Sequence, residues 1–373
     1  MDLFPYLKLM VEKSASDLFF SVGAQPNIKI EGVTHPVHAK VLGKDDVREL
    51  AYGVMSQKQI GQFEGTLEMN LAISAEGIGR FRINVYQQRG AVAMVVRYIK
   101  DKVPSFADLG LPPVLEKLVM LKRGLVLMVG ATGSGKSTTL ASMIDYRNER
   151  MTGHILCIED PIEFMHQHKK SVVDQREVGI DTMSFADALK NAMREAPDVI
   201  AIGEIRDRET MQHALAYAET GHLCLSTLHA NNSNQAIERI INFFPEDAKK
   251  QLLMDMSLNL HGVISQRLVP GTAQKLVPAV EILLSSAYVS ELIQQGRTDD
   301  IKAVMARSNE IGMMTFDQSL YDLYVAGRIS AEEALRNADS RTDLQLRIKL
   351  SQGVSPDTEG LSIVPGANLH SRK

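Results

Sequence analysis

The chain has no tryptophan, only two cysteines and no excess of basic charge: 41 Lys and Arg stand against 45 Asp and Glu, a formal net charge of −4. Each scarcity excludes something. With aromatic residues at only 5 % and no basic surplus, a nucleic-acid translocase is disfavoured, because such a protein tracks a polyanion with basic side chains and stacks bases on rings. Cys157 and Cys224 each lie inside a short apolar run, His154–Ile158 and His222–Leu225. They read as small buried side chains in strands, and not as a disulfide or a metal site. No uninterrupted apolar run approaches the ~20 residues of a membrane span. The start Met1-Asp2-Leu3-Phe4 lacks a basic segment followed by an apolar one, so no secretory signal is read there and a cytoplasmic location is expected. At 373 residues and 45 % hydrophobic the chain has enough apolar material for two domains.

What the chain does have is Gly130-Ala131-Thr132-Gly133-Ser134-Gly135-Lys136-Ser137, which fits G-x-x-x-x-G-K-[ST]. Gly124–Val129 before it reads as a buried parallel strand, and Thr138–Tyr146 after it as a helix with an apolar face. The chemistry requires that order. Glycines let backbone N–H groups turn inward around phosphates, and the helix N-terminus adds a positive dipole. Lys136 reaches the β- and γ-phosphates, and Ser137 offers its hydroxyl to a phosphate-bound Mg²⁺. Lys136 is expected to stand exposed in this cradle.

Residues 1 to about 100 read as a first, α+β unit: a helix at Phe4–Lys13, strands at Ser16–Gly23 and Asn27–Gly32, a helix at Asp45–Met55, and strands at Leu67–Ile73, Arg80–Tyr86 and Val92–Ile99. Runs of strands with few helices imply an antiparallel sheet. A linker is expected over 101–110 and an α/β unit over 111–350. There strands at Ile155–Ile158, Val199–Gly203 and Leu223–Thr227 alternate with helices at Phe185–Glu195, capped by Ser184, and Asp207–Glu219. From Asn234 to about Leu350 the pattern is mostly helical. The segment 351–373 is Ser-, Pro- and Gly-rich and reads as a disordered tail that contributes little to stability.

An ATPase also needs a metal-side carboxylate, a group that orients water and a sensor of the γ-phosphate. In open α/β sheets these belong after the C-terminal ends of strands. Glu204 follows Val199–Gly203; Glu159, Asp160 and Glu163 follow Ile155–Ile158; His229 follows the Leu223–Thr227 strand, which His222 opens. Singly, an acid after a strand is usually a cap or a solvated loop residue, and a histidine there is more often structural than a sensor. Their shared position on the sheet that carries the phosphate loop strengthens the functional reading.

Four ordered stretches, Gly130–Thr139, Ile158–Phe164, Pro197–Asp207 and Thr220–His229, resemble the Walker A, Asp box, Walker B and His box of the secretion ATPase superfamily. Within it they are most similar to the PilT/PilU-like type IV pilus retraction ATPases, over residues 1 to about 350. That resemblance implies a hexameric ring of subunits, each with an N-terminal PAS-like domain and a RecA-like P-loop domain with a helical C-terminal part. It implies ATP and Mg²⁺ as cofactors, with Gly130, Thr132, Gly133, Ser134, Gly135, Lys136, Ser137 and Thr138 around the nucleotide. Glu163 is then the glutamate that polarises water, Glu204 acts on the metal side with Ser137, and His229 contacts the γ-phosphate. Gly79–Asn84 is similar to the family segment whose arginines approach nucleotide, which makes Arg80, Arg82 and Arg97 candidates. A PilT-like paralogue, an inner-membrane platform protein and a peripheral place at that membrane are the implied partners and setting, with no nucleic acid. Two features depart from the PilT pattern and resemble the PilU branch. Ala287–Gln294 lacks the two arginines of the corresponding PilT helix, and the chain runs on past Leu350. Two other readings are weighed: a RecA-like nucleic-acid translocase, and a ring that binds nucleotide chiefly as the structural partner of another ATPase. The complete set of acids and histidine argues against a dead site.

Overall fold

A computed structural model describes residues 2–351 of the chain; the tail expected over 351–373 lies outside the described residues from 352 on. The protein divides into two compact units. The first takes the chain up to Asp108, Pro112–Val126 and Ser137–Leu228. The second takes Leu109–Leu111, Leu127–Lys136 and the described residues from His229 onward.

The first unit opens with α1 (Phe4–Glu12), β1 (Asp17–Phe20), β2 (Asn27–Ile30), β3 (Val33–Pro36), α2 (Lys44–Gly53), α3 (Gln57–Thr66), β4 (Glu68–Ala75), β5 (Gly79–Gln88) and β6 (Ala91–Ile99). The six strands form one sheet in the order β3-β2-β1-β6-β5-β4, antiparallel throughout as the strand-rich pattern predicts. Alternation on β5 explains its two faces: Phe81, Ile83 and Val85 are fully buried, while Arg80 and Arg82 point the other way. Arg82 pairs in register with Arg97 of β6, so the two guanidinium groups emerge on one face. β3 and α3 are not among the expected elements. All four residues of β3 are exposed, so no burial pattern marks it. α3 contains two glycines and buries only Phe63; it is started by a capping box in which Ser56 and Gln59 satisfy each other's backbone N–H groups.

The unit continues with α4 (Phe106–Leu109), α5 (Val114–Val119), β7 (Gly124–Val129), α6 (Lys136–Arg150), β8 (Gly153–Glu159), β9 (Ser171–Glu177), α7 (Phe185–Ala192), β10 (Val199–Ile202), α8 (Arg208–Glu219) and β11 (Leu223–Leu228). Its strands run in the order β7-β11-β10-β8-β9, with parallel pairing from β11 through β9. β7, β10 and β11 are buried along their whole length, which is why they are continuous apolar runs in the sequence. Ser184 and Asp207 cap α7 and α8. Cys157 and Cys224 are free and buried in β8 and β11 as expected, and burial pushes the Cys224 thiol up to about 12. β9 escapes the sequence reading because Ser171–Glu177 mixes apolar and charged side chains at the sheet edge.

In the second unit, Leu127–Val129 of β7 lies beside β12 (Leu260–Pro270), which pairs antiparallel with β13 (Leu276–Leu284). The helices are α9 (Ser233–Asn242), α10 (Glu246–Asn259), α11 (Ala287–Gln294), α12 (Ile301–Arg307), α13 (Phe316–Val325), α14 (Ala331–Asn337) and α15 (Arg341–Ser351). The helical reading of 234–350 therefore misses a long hairpin. Ser265, Gln266 and Glu281 are buried in it, so its strands show neither polar–apolar alternation nor an unbroken apolar run. Among the described residues no helix is long and apolar enough to cross a membrane.

Candidate nucleotide site

β7 delivers the chain to Gly130, and α6 begins at Lys136. Ala131, Thr132 and Gly133 form the exposed tip of the loop between them, and Ser134 is buried. Gly135 has φ +86°, a backbone region that L side chains rarely adopt. Lys136 differs from the exposed side chain expected: it is 8 % exposed, and its ammonium donates to the carbonyls of Gly130 at 2.8 Å and Ala131 at 2.9 Å. The carbonyls that meet the lysine are therefore those of its own loop. The hydroxyl of Ser134 is buried with no hydrogen-bond partner among the described residues. Ser137 Oγ donates to Glu163 Oε1 at 3.1 Å.

The acids of the first unit sit where the parallel strands end. Glu159 closes β8 and accepts from Gln175 Nε2 at 2.9 Å. Burial pushes its carboxyl up to about 7; the Gln175 bond and the Glu163 N–H oppose the rise, and the charges of Glu163 and Glu177 add to it. Glu163 itself is exposed. Glu204 lies two residues past β10, and its carboxylate accepts from Arg206 Nε at 2.8 Å; the same arginine reaches Asp160 at 3.5 Å.

The three candidate arginines take different partners. Arg97 donates to Asp17 at 2.9 Å. Arg82 stands 3.6 Å from Oε1 of Glu177, a carboxylate 0 % exposed at the end of β9. Glu177 Oε2 accepts from the Ile162 N–H at 3.3 Å. Burial raises the Glu177 carboxyl, against the pull of Arg82 and Arg80. Arg82, Arg97, Thr138 and Glu163 line one cavity of about 790 Å³, together with Tyr98 and Phe164. Arg80 is not among the residues lining that cavity, and its Nε is buried without a hydrogen-bond partner.

In the second unit His229 is half-buried and lines a separate cavity of about 680 Å³ with Ala131, Thr132, Gln235 and Arg239. His222 does not share the C-terminal edge. It precedes β11, and its Nδ1 lies 3.2 Å from Thr220 Oγ1, a structural placement. Sequence reasoning misses Glu177 and Arg206 in the first unit and Gln266 in the second. Arg206 stands inside the Pro197–Asp207 stretch and its charge beside Glu204 was a usable signal; the other two lie on strands that local periodicity does not reveal.

Against this geometry, residues 10–345 match the family described as type II/IV secretion system protein. The chain is 52 % identical over 371 residues to the type IV pilus ATPase PilU of Pseudomonas aeruginosa, covering 97 % of each chain. It is 39 % identical to the type IV pilus retraction ATPase PilT of the same organism, covering 91 % of this chain and 98 % of that one. The crystal structure of the pilus retraction motor PilT with bound ADP superimposes with a TM-score of 0.86 at 41 % identity, covering 92 % of this chain and 99 % of that one. The α/β class expected from the sequence, an N-terminal unit followed by a RecA-like one, agrees with that likeness.

Proposed function

The chain belongs to the type II/IV secretion system protein family, and from that premise we propose how it works as an ATP-hydrolysing motor of type IV pilus retraction. The observation that carries the reading is the phosphate loop Gly130–Ser137 with the hydroxyl of Ser137 bonded to Glu163. The orphan hydroxyl of Ser134 and the inward ammonium of Lys136 suit phosphate oxygens, and Thr132, Gly133, Gly135 and Thr138 complete the cradle. Ser137 and Glu204 supply hydroxyl and carboxylate oxygens, the donors that Mg²⁺ prefers. When bound, that ion neutralises charge on the phosphates.

Glu163 takes a proton from, and orients, the attacking water; its exposure leaves it free to reach one. Lys136 and His229 face the terminal phosphate, and Arg82 and Arg97 present positive charge to the cavity that also holds Thr138 and Glu163. Arg80, outside that lining, supports the arginine face. We assign the division 1–100, 101–110 and 111–350 to an N-terminal domain, linker and ATPase domain. The working form is a hexamer in the cytoplasm at the inner membrane, engaged with a platform protein and a PilT-like paralogue and with no nucleic acid.

Two measurements test this. We infer further that Arg82 or Arg97 completes the site of a neighbouring subunit in the ring, so phosphate release per subunit is expected to rise with protein concentration as rings assemble; a flat rate from dilute monomer to ring would confine both arginines to their own subunit. In cells, pili are expected to retract less when the chromosomal copy carries Glu163→Gln. Unaltered retraction, with the paralogue also deleted, would overturn the motor role.

A further inference from the structure

Three consecutive residues of β12 send their side chains to three parts of the second unit. Ser265 donates to Glu281 Oε1 at 3.2 Å; the same oxygen, on a residue 2 % exposed, accepts from the Ser233 N–H at 2.7 Å and the Ser233 hydroxyl at 2.9 Å. Ser233 is the first residue of α9, close behind His229. Gln266, 3 % exposed, donates from Nε2 to the Ser134 carbonyl of the phosphate loop at 2.8 Å. A guanidinium nitrogen of Arg267 lies 2.8 Å from Asp339 Oδ1 and 3.1 Å from the Asn337 carbonyl, and its central carbon stands 3.8 Å over the Phe316 ring.

The contact between β12 and the loop has no slack. A Cβ at Gly130 would stand 2.6 Å from the Gln266 carbonyl oxygen, and a Cβ at Gly135 would stand 2.7 Å from Gln266 Nε2. Glycine at both places lets the strand and the loop meet, so a displacement of one displaces the other; a packed interior does not absorb it. At the far end, Asp339 joins several helices. It also holds Lys302 of α12 at 2.8 Å, and its N–H donates to Asp317 in the first turn of α13 at 2.8 Å. Asp339 lies between α14 and α15, with Phe316 and Ile348 in the apolar cluster beneath.

We propose that Gln266 and Arg267 are positioning residues that couple the phosphate loop to the Asp339 junction of α12–α15, so that nucleotide at the loop and the packing of these C-terminal helices bias each other. The inference rests on the reading of the loop as a nucleotide site. Coupling of this kind is reciprocal: a change at Asp339, which the structure joins to Arg267 and Lys302 and not to the loop, must alter nucleotide affinity by the factor with which nucleotide alters the junction.

The test is calorimetric binding of ADP to the full-length protein, wild type, Gln266→Leu, Asp339→Asn and the double variant, with melting temperatures taken without nucleotide. Asp339→Asn is expected to shift the ADP Kd by about threefold or more. The double variant is expected to shift it by less than the product of the two single effects, because the link is already cut. Hydrogen exchange over 331–351 should respond to ADP in the wild type and stop responding in Gln266→Leu. Should Gln266→Leu fail to fold, the ADP Kd of Asp339→Asn, with hydrogen exchange over 331–351 in the wild type with and without ADP, carries the test. An unchanged Kd in Asp339→Asn, or multiplicative effects, overturns the coupling. A wild type that binds no ADP overturns the nucleotide reading itself, and the coupling with it.

Discussion

Ser137 Oγ donates to Glu163 Oε1 at 3.1 Å, joining the residue after the phosphate-loop lysine to an acid 26 positions on. The bond sets the direction of an otherwise exposed carboxylate. In the proposed function this acid is the one that orients water.

Glu163→Gln should keep ATP affinity within about threefold and lower turnover by about a hundredfold or more, because the amide can still accept from Ser137 yet cannot take a proton. Affinity and phosphate release measured on one preparation check this; near-normal turnover would pass the role to Glu204 or Glu159.

Lys136→Ala should abolish phosphate release and also lower the melting temperature by a few degrees. The buried ammonium holds the carbonyls of Gly130 and Ala131, and leaving such groups without that donor costs about 1–3 kcal/mol. Calorimetry beside phosphate release separates the two effects, and an unchanged melting temperature would show that the loop relaxes without the lysine.

Arg82→Ala should destabilise the protein by about 1–3 kcal/mol, since it strands the fully buried carboxylate of Glu177. Glu177→Gln added to it should restore most of that loss. If Arg82 serves the nucleotide as well, the double variant regains its melting temperature and still turns over slowly; full recovery of turnover would confine Arg82 to the ion pair.

Glu159 gives a pH dependence of definite sign. Its folded carboxyl titrates at about 7 against an ordinary value of 4.5, so the native state holds a proton that the unfolded state releases between those values. Its contribution to stability is full below about pH 4.5 and is lost as pH rises to about 7. Glu159→Gln keeps an acceptor for Gln175 and removes the titration. The variant should therefore gain melting temperature relative to wild type progressively from pH 5 to pH 7, with a constant difference above that. A difference that stays flat from pH 5 to 8 would show that Glu159 is ionised throughout.

The sequence by itself determined the phosphate loop between an apolar strand and a helix, the acids and the histidine placed after strand ends, and five of the six strands of the first, antiparallel sheet. Each of these is written in local chemistry: continuous apolar residues in Gly124–Val129, capping side chains at Ser184 and Asp207, and alternation across Arg80–Tyr86. Tertiary structure alone decided that Lys136 is buried against its own loop, and that Arg82 faces Glu177 while Arg97 takes Asp17. It also decided the β12–β13 hairpin, whose Ser265, Gln266 and Glu281 look like solvent-facing residues until their partners at Ser233 and Ser134 are known. The physical reason is the same in each case. A polar side chain is stable inside only when a distant segment supplies its hydrogen bond, and that pairing has no period along the chain.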